Sequence, residues 1–276
     1  MTIAFIGGGN MATALIGGLT ARGRAAADMR VVEPYPEARA RIEARHAGVK
    51  AFAECTGEAV AGAGLVVLAV KPQQMRDAAR ALGPHLAGTP GPVVLSIAAG
   101  IRLADLARWL GGHRRLVRAM PNMPALVGRG ISGIYAEPEV DADGRALAVA
   151  VVEAAGEVVW VATEAMLDAV TGISGSGPAY VFYFLEALEE AARDLGFCAA
   201  DARRLAYATV AGSVALAQAS TEPPAALRRQ VTSKAGTTER ALAVLDAGAV
   251  KGTIIEAAKA AALRAAELGD TFSGDS

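Results

Sequence analysis

Cysteine is scarce in this chain of 276 residues: there are two, Cys55 and Cys198, far apart and with no CxxC. That excludes a disulfide framework and a thiolate metal site, and it points to a reducing compartment. Histidine is nearly as scarce. His46, His85 and His113 fall in helix or loop contexts with no partner spacing. All three are expected at the surface, so neither a metal centre nor the usual general base is expected. Neither sign of charge dominates, with 27 Lys and Arg against 28 Asp and Glu. No basic surplus asks for nucleic acid, and no acidic block suggests a tail. Long hydrophobic runs are missing too. The run "LVVLAV" at 65–70 is far too short to cross a bilayer, so no membrane partner is expected. The start, "MTIAFIGGGN", carries no charged leader and no cleavage pattern. The expected setting is the cytoplasm. Two catalytic signatures are also absent: there is no GxxxxGK[ST], and in "GISGSG" (172–177) the G-x-S-x-G pattern breaks at Ser176.

What the chain does have is apolar mass, with 53% hydrophobic and 20% charged residues. That is enough for a sizeable core and comfortable for two domains. The first half alternates short β-branched runs with helical patterns. Strands are expected at 3–7, 29–34, 65–72, 92–100, 114–120, 130–137 and 156–162. Helices are expected at 11–23, ending near Gly23, at 36–48, and from 75 onward. Continuous apolar strands suit a parallel sheet covered on both faces, and strand–helix repetition implies a doubly wound α/β fold. After about residue 163 only helical patterns remain: 176–197, 201–220, 238–248 and 252–269, then a frayed tail "DTFSGDS". The expected division is a Rossmann-type dinucleotide-binding domain over 1–162 and an all-α domain over 163–276. In the helix at 176–197, Val181, Phe184, Leu185, Leu188, Ala192 and Leu195 form one stripe, while Tyr180, Phe182 and Tyr183 lie off it. A helix apolar on more than one face asks for more than one neighbour, which suggests subunit pairing.

The motifs fall at the ends of these elements. In "GGGNMA", Gly7, Gly9 and Ala12 fit G-x-G-x-x-A between a strand and a helix. Small residues there allow a tight turn and close approach of a pyrophosphate to the helix amino end. Glu33 ends the second strand about 20 residues on, where an acid accepts from the ribose hydroxyls of NAD and repels the extra phosphate of NADP. Arg39 and Arg41, one turn later, remain able to reach a phosphate. "AVKP" (69–72) leaves the Ala69 and Val70 backbone, followed by Lys71, at the carboxyl edge of the sheet. "AMPNMPAL" (119–126) sets two prolines around Asn122 in a rigid loop at another strand end. Last, "VTSKAGTTERAL" (231–242) crowds Thr232, Ser233, Thr237 and Thr238 around Gly236 at a helix start. Free backbone N–H groups and the helix dipole there favour a carboxylate or phosphate. A plain capping box built on Glu239 explains the same pattern equally well.

Taken in order, "GGGNMA", "AVKPQ", "SIAAGI", "RAMPNMPALVGRG", "VTGISGSGPAYVF" and "VTSKAGTTERAL" resemble the pyrroline-5-carboxylate reductase family over nearly the whole chain. The resemblance implies a Rossmann domain, a helical domain that forms homodimers through its C-terminal helices, and dimers that often assemble into decamers. It implies reduction of the imine of 1-pyrroline-5-carboxylate to L-proline by NADPH or NADH. Gly7, Gly9, Asn10 and Met11 would hold the pyrophosphate. Ala69, Val70 and Lys71 would flank the ribose and nicotinamide, and Met120, Pro121 and Asn122 would line the same crevice. Ser233, Gly236, Thr237 and Thr238 would bind the substrate carboxylate, with the Thr238 hydroxyl reaching the ring nitrogen as the catalytic group. Three departures stand out. Lys234-Ala235 replaces the family's usual Pro-Gly, Met123 replaces a usual threonine, and Glu33 stands where NADPH-preferring members carry a small polar residue.

Two rivals differ in their demands. A β-hydroxy-acid reductase needs a lysine on the first long helix of the second domain, and 178–195 has none. A dinucleotide sensor without turnover would keep Gly7 and Gly9 but would have no need of Ser233 to Thr238.

Overall fold

The computed structural model describes residues 1–86 and 91–273. In chain order the first elements are β1 (Thr2–Ile6), α1 (Asn10–Ala21), β2 (Met29–Val32), α2 (Pro36–Arg45), β3 (Lys50–Phe52), α3 (Gly57–Val60), β4 (Ala63–Leu68) and α4 (Met75–Leu82). Then come β5 (Val93–Ser96), α5 (Leu103–Trp109), β6 (Leu116–Met120), β7 (Gly130–Ala136), α6 (Ala142–Glu153), β8 (Gly156–Trp160) and α7 (Met166–Val170). A π-helical turn, Thr171–Gly175, leads into α8 (Gly177–Asp194), α9 (Ala199–Gln218), α10 (Pro224–Gln230), α11 (Thr237–Ala247) and α12 (Val250–Ser273).

The eight strands form one sheet in the order β3-β2-β1-β4-β5-β6-β7-β8. Every pairing is parallel except β6 with β7. The antiparallel pair interrupts the all-parallel sheet expected from the apolar runs. Alternate residues of one strand enter opposite cores. Ile3, Phe5, Leu65 and Val67 join α1 and α6 on one face, where Leu15, Ile16 and Val151 are buried. Ala4, Ile6, Val66 and Leu68 join α4 and α5 on the other, with Met75, Leu82 and Leu106. A strand covered on both faces has no solvent side, so its sequence shows no alternation. Each fully buried aliphatic side chain contributes roughly 2 kcal/mol. The strand β3 was not expected: it is three residues long, half-exposed, and paired only along Arg30–Val32.

The amphipathic signals end where the chemistry says they should. In α1, the Gly23 N–H donates to Thr20 O and the Arg24 N–H to Leu19 O, with Gly23 at φ +89°. This is a Schellman stop, and it needs the glycine.

The chain divides into two compact units, Met1–Ser176 with the chain from Ala260 onward, and Gly177–Lys259. The expected boundary after residue 162 is displaced at both ends. Leu167 and Val170 of α7 pack on Gly133 of β7, where a glycine Cβ would come within 2.7–3.1 Å of them, so α7 belongs with the sheet. The end of α12 does too, through Phe272 beside Gly100 and an Arg102–Asp270 ion pair at 2.6 Å. For the same reason the helix continues to Ser273 where a frayed tail was expected from residue 270. Positions 274–276 of that tail lie outside the described residues. In the second unit α8 and α9 pack together, and the buried apolar residues of that unit are Ala202, Ala206 and Ala226.

Candidate functional site

The first unit brings "GGGNMA" and "AVKP" together. Gly7 follows β1 and Ala69 follows β4, and these neighbouring strands carry the chain to opposite sides of the sheet. Such a switch point opens a crevice at the carboxyl ends of the strands. Gly7 has φ +100°, its N–H donates to Val32 O at 2.8 Å, and a Cβ there would lie 2.8 Å from Ala69 O. Only glycine fits. Gly9 is the N-cap of α1, with open space where its side chain would be. Among the described residues no acceptor is seen for the N–H groups of Asn10 and Met11. Three features therefore converge at the amino end of α1: unpaired donors, open space at Gly9 and the positive end of the helix dipole. They fit a dinucleotide pyrophosphate. Ala69 and Val70 are half-buried and Lys71 is exposed beside them.

Glu33 is placed differently from a free ribose acceptor. It is 8% exposed, and its carboxylate accepts from the Gly8 N–H at 3.0 Å and the Tyr35 N–H at 3.2 Å. The acid is thus built into the back of the glycine turn. Arg39 lies at the same strand end, its Nη1 donating to Glu33 O at 2.7 Å and Pro34 O at 2.8 Å. Arg41 is exposed.

Met120 closes β6, and Pro121 and Asn122 are buried behind it. Both ends of the Asn122 carboxamide are engaged within the protein. Nδ2 donates to Ser174 O at 3.1 Å, and Oδ1 accepts from the Ile131 N–H at 3.0 Å. The half-buried Met120 side chain and the Met120–Pro121 backbone remain to line a crevice. The partner on the far side, the π-helical turn, overlaps the "GISGSG" run. The sequence reading gave that run no role.

The second unit carries the hydroxyl-rich loop. Gly236 is the N-cap of α11, and its N–H donates to Ser233 O at 3.1 Å. A Cβ at Gly236 would lie 2.3 Å from Ser233 Oγ, so the glycine makes room for that hydroxyl. Glu239 reaches back to the Ala235 N–H at 2.6 Å. The cap and the anion site therefore do not compete. Glu239 takes the Ala235 N–H, while among the described residues the N–H groups of Thr237 and Thr238 have no acceptor. Ser233 and Thr237 are exposed, Thr238 half-buried.

The histidines require a correction. His46 is buried at 9%, packed towards Gly17, and His113 is half-buried with its Nε2 at 2.9 Å from Pro92 O. Burial lowers both pKa values, with Arg45 adding to the effect on His46. Only His85 is exposed. None of the three belongs to the glycine turn, the Met120 loop or the hydroxyl loop.

Residues 164–268 match the family model for pyrroline-5-carboxylate reductase dimerisation, and residues 2–100 match that for NADP oxidoreductase, coenzyme F420-dependent. The chain is 45% identical to the pyrroline-5-carboxylate reductase of Pseudomonas aeruginosa, over 97% of each chain. It is 39% identical to that of Synechocystis, over 97% of this chain and 98% of the other. Among solved structures it is similar to a pyrroline-5-carboxylate reductase from Coxiella burnetii, with TM-score 0.91, 38% identity, and 97% and 98% of the two chains covered. It is also similar to the Plasmodium falciparum pyrroline carboxylate reductase with NADP bound, with TM-score 0.85, 25% identity and 98% of each chain covered.

Proposed function

The chain belongs to the pyrroline-5-carboxylate reductase family, and we infer that it reduces the ring imine of 1-pyrroline-5-carboxylate to L-proline, the last step of proline biosynthesis. The site observation that carries this reading is the start of α11, where Thr237 and Thr238 present free N–H groups beside the Ser233 hydroxyl. Such a start holds a carboxylate.

The residue roles are those that the family resemblance implies. Gly7, Gly9, Asn10 and Met11 hold the cofactor pyrophosphate at the amino end of α1. Ala69, Val70 and Lys71 flank its ribose and nicotinamide, and Met120 and Pro121 line the crevice beside them. Bound there, NADPH or NADH supplies a hydride. The Ser233 hydroxyl and the N–H groups of Thr237 and Thr238 fix the substrate carboxylate, while Gly236, its own N–H spent on Ser233 O, makes room for that hydroxyl. The protonated imine is already electrophilic. Hydride adds to its carbon, the C=N π pair moves onto nitrogen, and the nitrogen keeps its proton. No further proton donor is needed, which suits half-sites without histidine. The Thr238 hydroxyl steadies the ring nitrogen. Holding both reactants at contact distance supplies at best roughly 7–11 kcal/mol of the barrier reduction.

Thr238→Ala is expected to lower kcat roughly 10- to 100-fold, the value of a hydrogen bond to a charged group. Thr238→Ser should restore most of it, and the NADPH dissociation constant should not move. Steady-state kinetics with the imine acid check this. An unchanged rate removes Thr238 from the mechanism.

The helices α8 to α12 are the proposed homodimer surface, and a decamer of such dimers is the further assembly the resemblance implies. No helix among the described residues is long and apolar enough to cross a membrane. A cytoplasmic setting is supported by two free thiols, Cys55 and Cys198.

A further inference from the structure

The turn Thr171–Gly175, which overlaps "GISGSG", is left without a task by the reductase reading. It is π-helical: the Ser176 N–H donates to Thr171 O, five residues back, at 2.8 Å. Single π turns frequently occur at functional sites. Here the wider turn keeps its own polar groups occupied. Thr171 Oγ1 donates to Leu167 O at 2.8 Å and Ser174 Oγ to Val170 O at 3.1 Å. Ser174 O faces outward and accepts from Asn122 Nδ2.

Asn122 thus joins three pieces of the first unit: the end of β6, the start of β7 through Ile131, and the π turn through Ser174. Its orientation is forced, because Ile131 offers a donor and Ser174 an acceptor, and only one placement of the carboxamide satisfies both. The turn presses on the same loop a second time. A Cβ at Gly175 would lie 2.8 Å from Met120 Cε, so the glycine makes room for that methyl group.

We propose that Asn122 is a positioning residue for hydride transfer: its carboxamide fastens the Met120–Asn122 loop to the π turn and to β7, and so sets where the nicotinamide ring rests. The proposal rests on the reductase reading above. It replaces direct cofactor contact by the Asn122 side chain, since both ends of that side chain are already taken inside the protein. A misplacement of about 1 Å at the reacting centre costs up to about 100-fold in rate. The pyrophosphate, held at Gly7 and Gly9, is untouched by such a shift.

The test uses the full-length enzyme with Asn122→Ala, Asn122→Asp and Gly175→Ala. Four quantities are read. They are kcat with the imine acid, the NADPH dissociation constant by calorimetry without substrate, the deuterium isotope effect on the transferred hydride, and amide exchange at Ile131 without cofactor. Asn122→Ala is expected to lower kcat by about tenfold or more and to raise the isotope effect, because misalignment makes the chemical step limiting. Ile131 exchange should accelerate, and the NADPH dissociation constant should stay within about threefold, because the glycine turn dominates affinity. Asn122→Asp keeps the acceptor for Ile131 but loses the donor to Ser174, and should lower kcat and raise the isotope effect without accelerating exchange at Ile131. Gly175→Ala disturbs Met120 with Asn122 intact and should show the same pattern more weakly, so it decides the matter if the Asn122 variants do not fold. An active wild type with an undiminished Asn122→Ala rate, or a dissociation constant that rises in step with the loss, overturns the proposal alone. A wild type inert toward the imine acid overturns the reductase reading, and this proposal with it.

Discussion

Glu33 ends β2 with both carboxylate oxygens on backbone N–H groups, Gly8 at 3.0 Å and Tyr35 at 3.2 Å. A side chain read from the sequence as a ribose acceptor is also a brace for the glycine turn. Its negative charge still stands at the strand end where a 2′-phosphate would arrive. Like charges brought close in a partly solvated site repel by about 1–2 kcal/mol. Glu33→Ser is therefore expected to raise the ratio of kcat/KM for NADPH over NADH by about tenfold. Both absolute values should fall, because the turn loses its brace. Parallel assays with the two cofactors read the ratio, and an unchanged ratio would show that the charge does not discriminate. Arg39 is the counterpart. Its guanidinium is held by two carbonyls at the same strand end, so Arg39→Ala should weaken NADPH selectively.

At the scale of an element, the entrance to α11 holds a conformation that its sequence does not favour. Ala235 sits at φ +57°, in the left-handed region, where the family resemblance placed a glycine. An alanine there costs about 1–2 kcal/mol, of which a glycine returns part as extra freedom in the unfolded chain. Ala235→Gly should stabilise the protein by about 0.5 kcal/mol, a rise of roughly 1–2 °C for a chain of this size. Thermal unfolding checks it, and a fall in midpoint would mean that the strain is relieved elsewhere. The loop keeps its shape because Glu239 holds the Ala235 N–H and Gly236 leaves room for the Ser233 hydroxyl. Its composition revealed a helix start rich in donors. Which donors were already spent could be read only from the folded loop.

The two units differ in how well they bury themselves. The first has two apolar layers around its sheet. The second leaves Phe182, Tyr183, Phe184, Leu195, Val244 and Ile254 between 52% and 81% exposed. Three buried alanines do not make a core, so α8 to α11 and the start of α12 expose more apolar surface than an isolated unit usually does. The match to a dimerisation model over 164–268 fits the proposed pairing. Thermal stability should therefore rise with protein concentration, by about 1.4 kcal/mol per tenfold change for a dimer folding with its partner. Phe184→Asp should yield a smaller species by sedimentation, with a lower midpoint and lost turnover. A monomeric variant with full stability would contradict the pairing.

The alternation of strands and helices, the glycine turn, the helix stop at Gly23 and the donor-rich start of α11 were legible in the sequence. Each depends on residues within a few positions of one another, and local propensity acts at that range. The bonds that place Glu33 and Asn122 were not legible. Glu33 meets Gly8 across 25 positions, and Asn122 meets Ser174 across 52. Nothing near either residue marks its partner, because those pairs form only when segments from distant parts of the chain are brought side by side. The short β3, the burial of His46 and the return of α12 to the first unit share that origin. The sequence by itself determined the elements and the chemical groups at their ends. The tertiary structure decided which of those groups are occupied by the protein and which remain free for a ligand, because that depends on distances between segments that propensity does not encode.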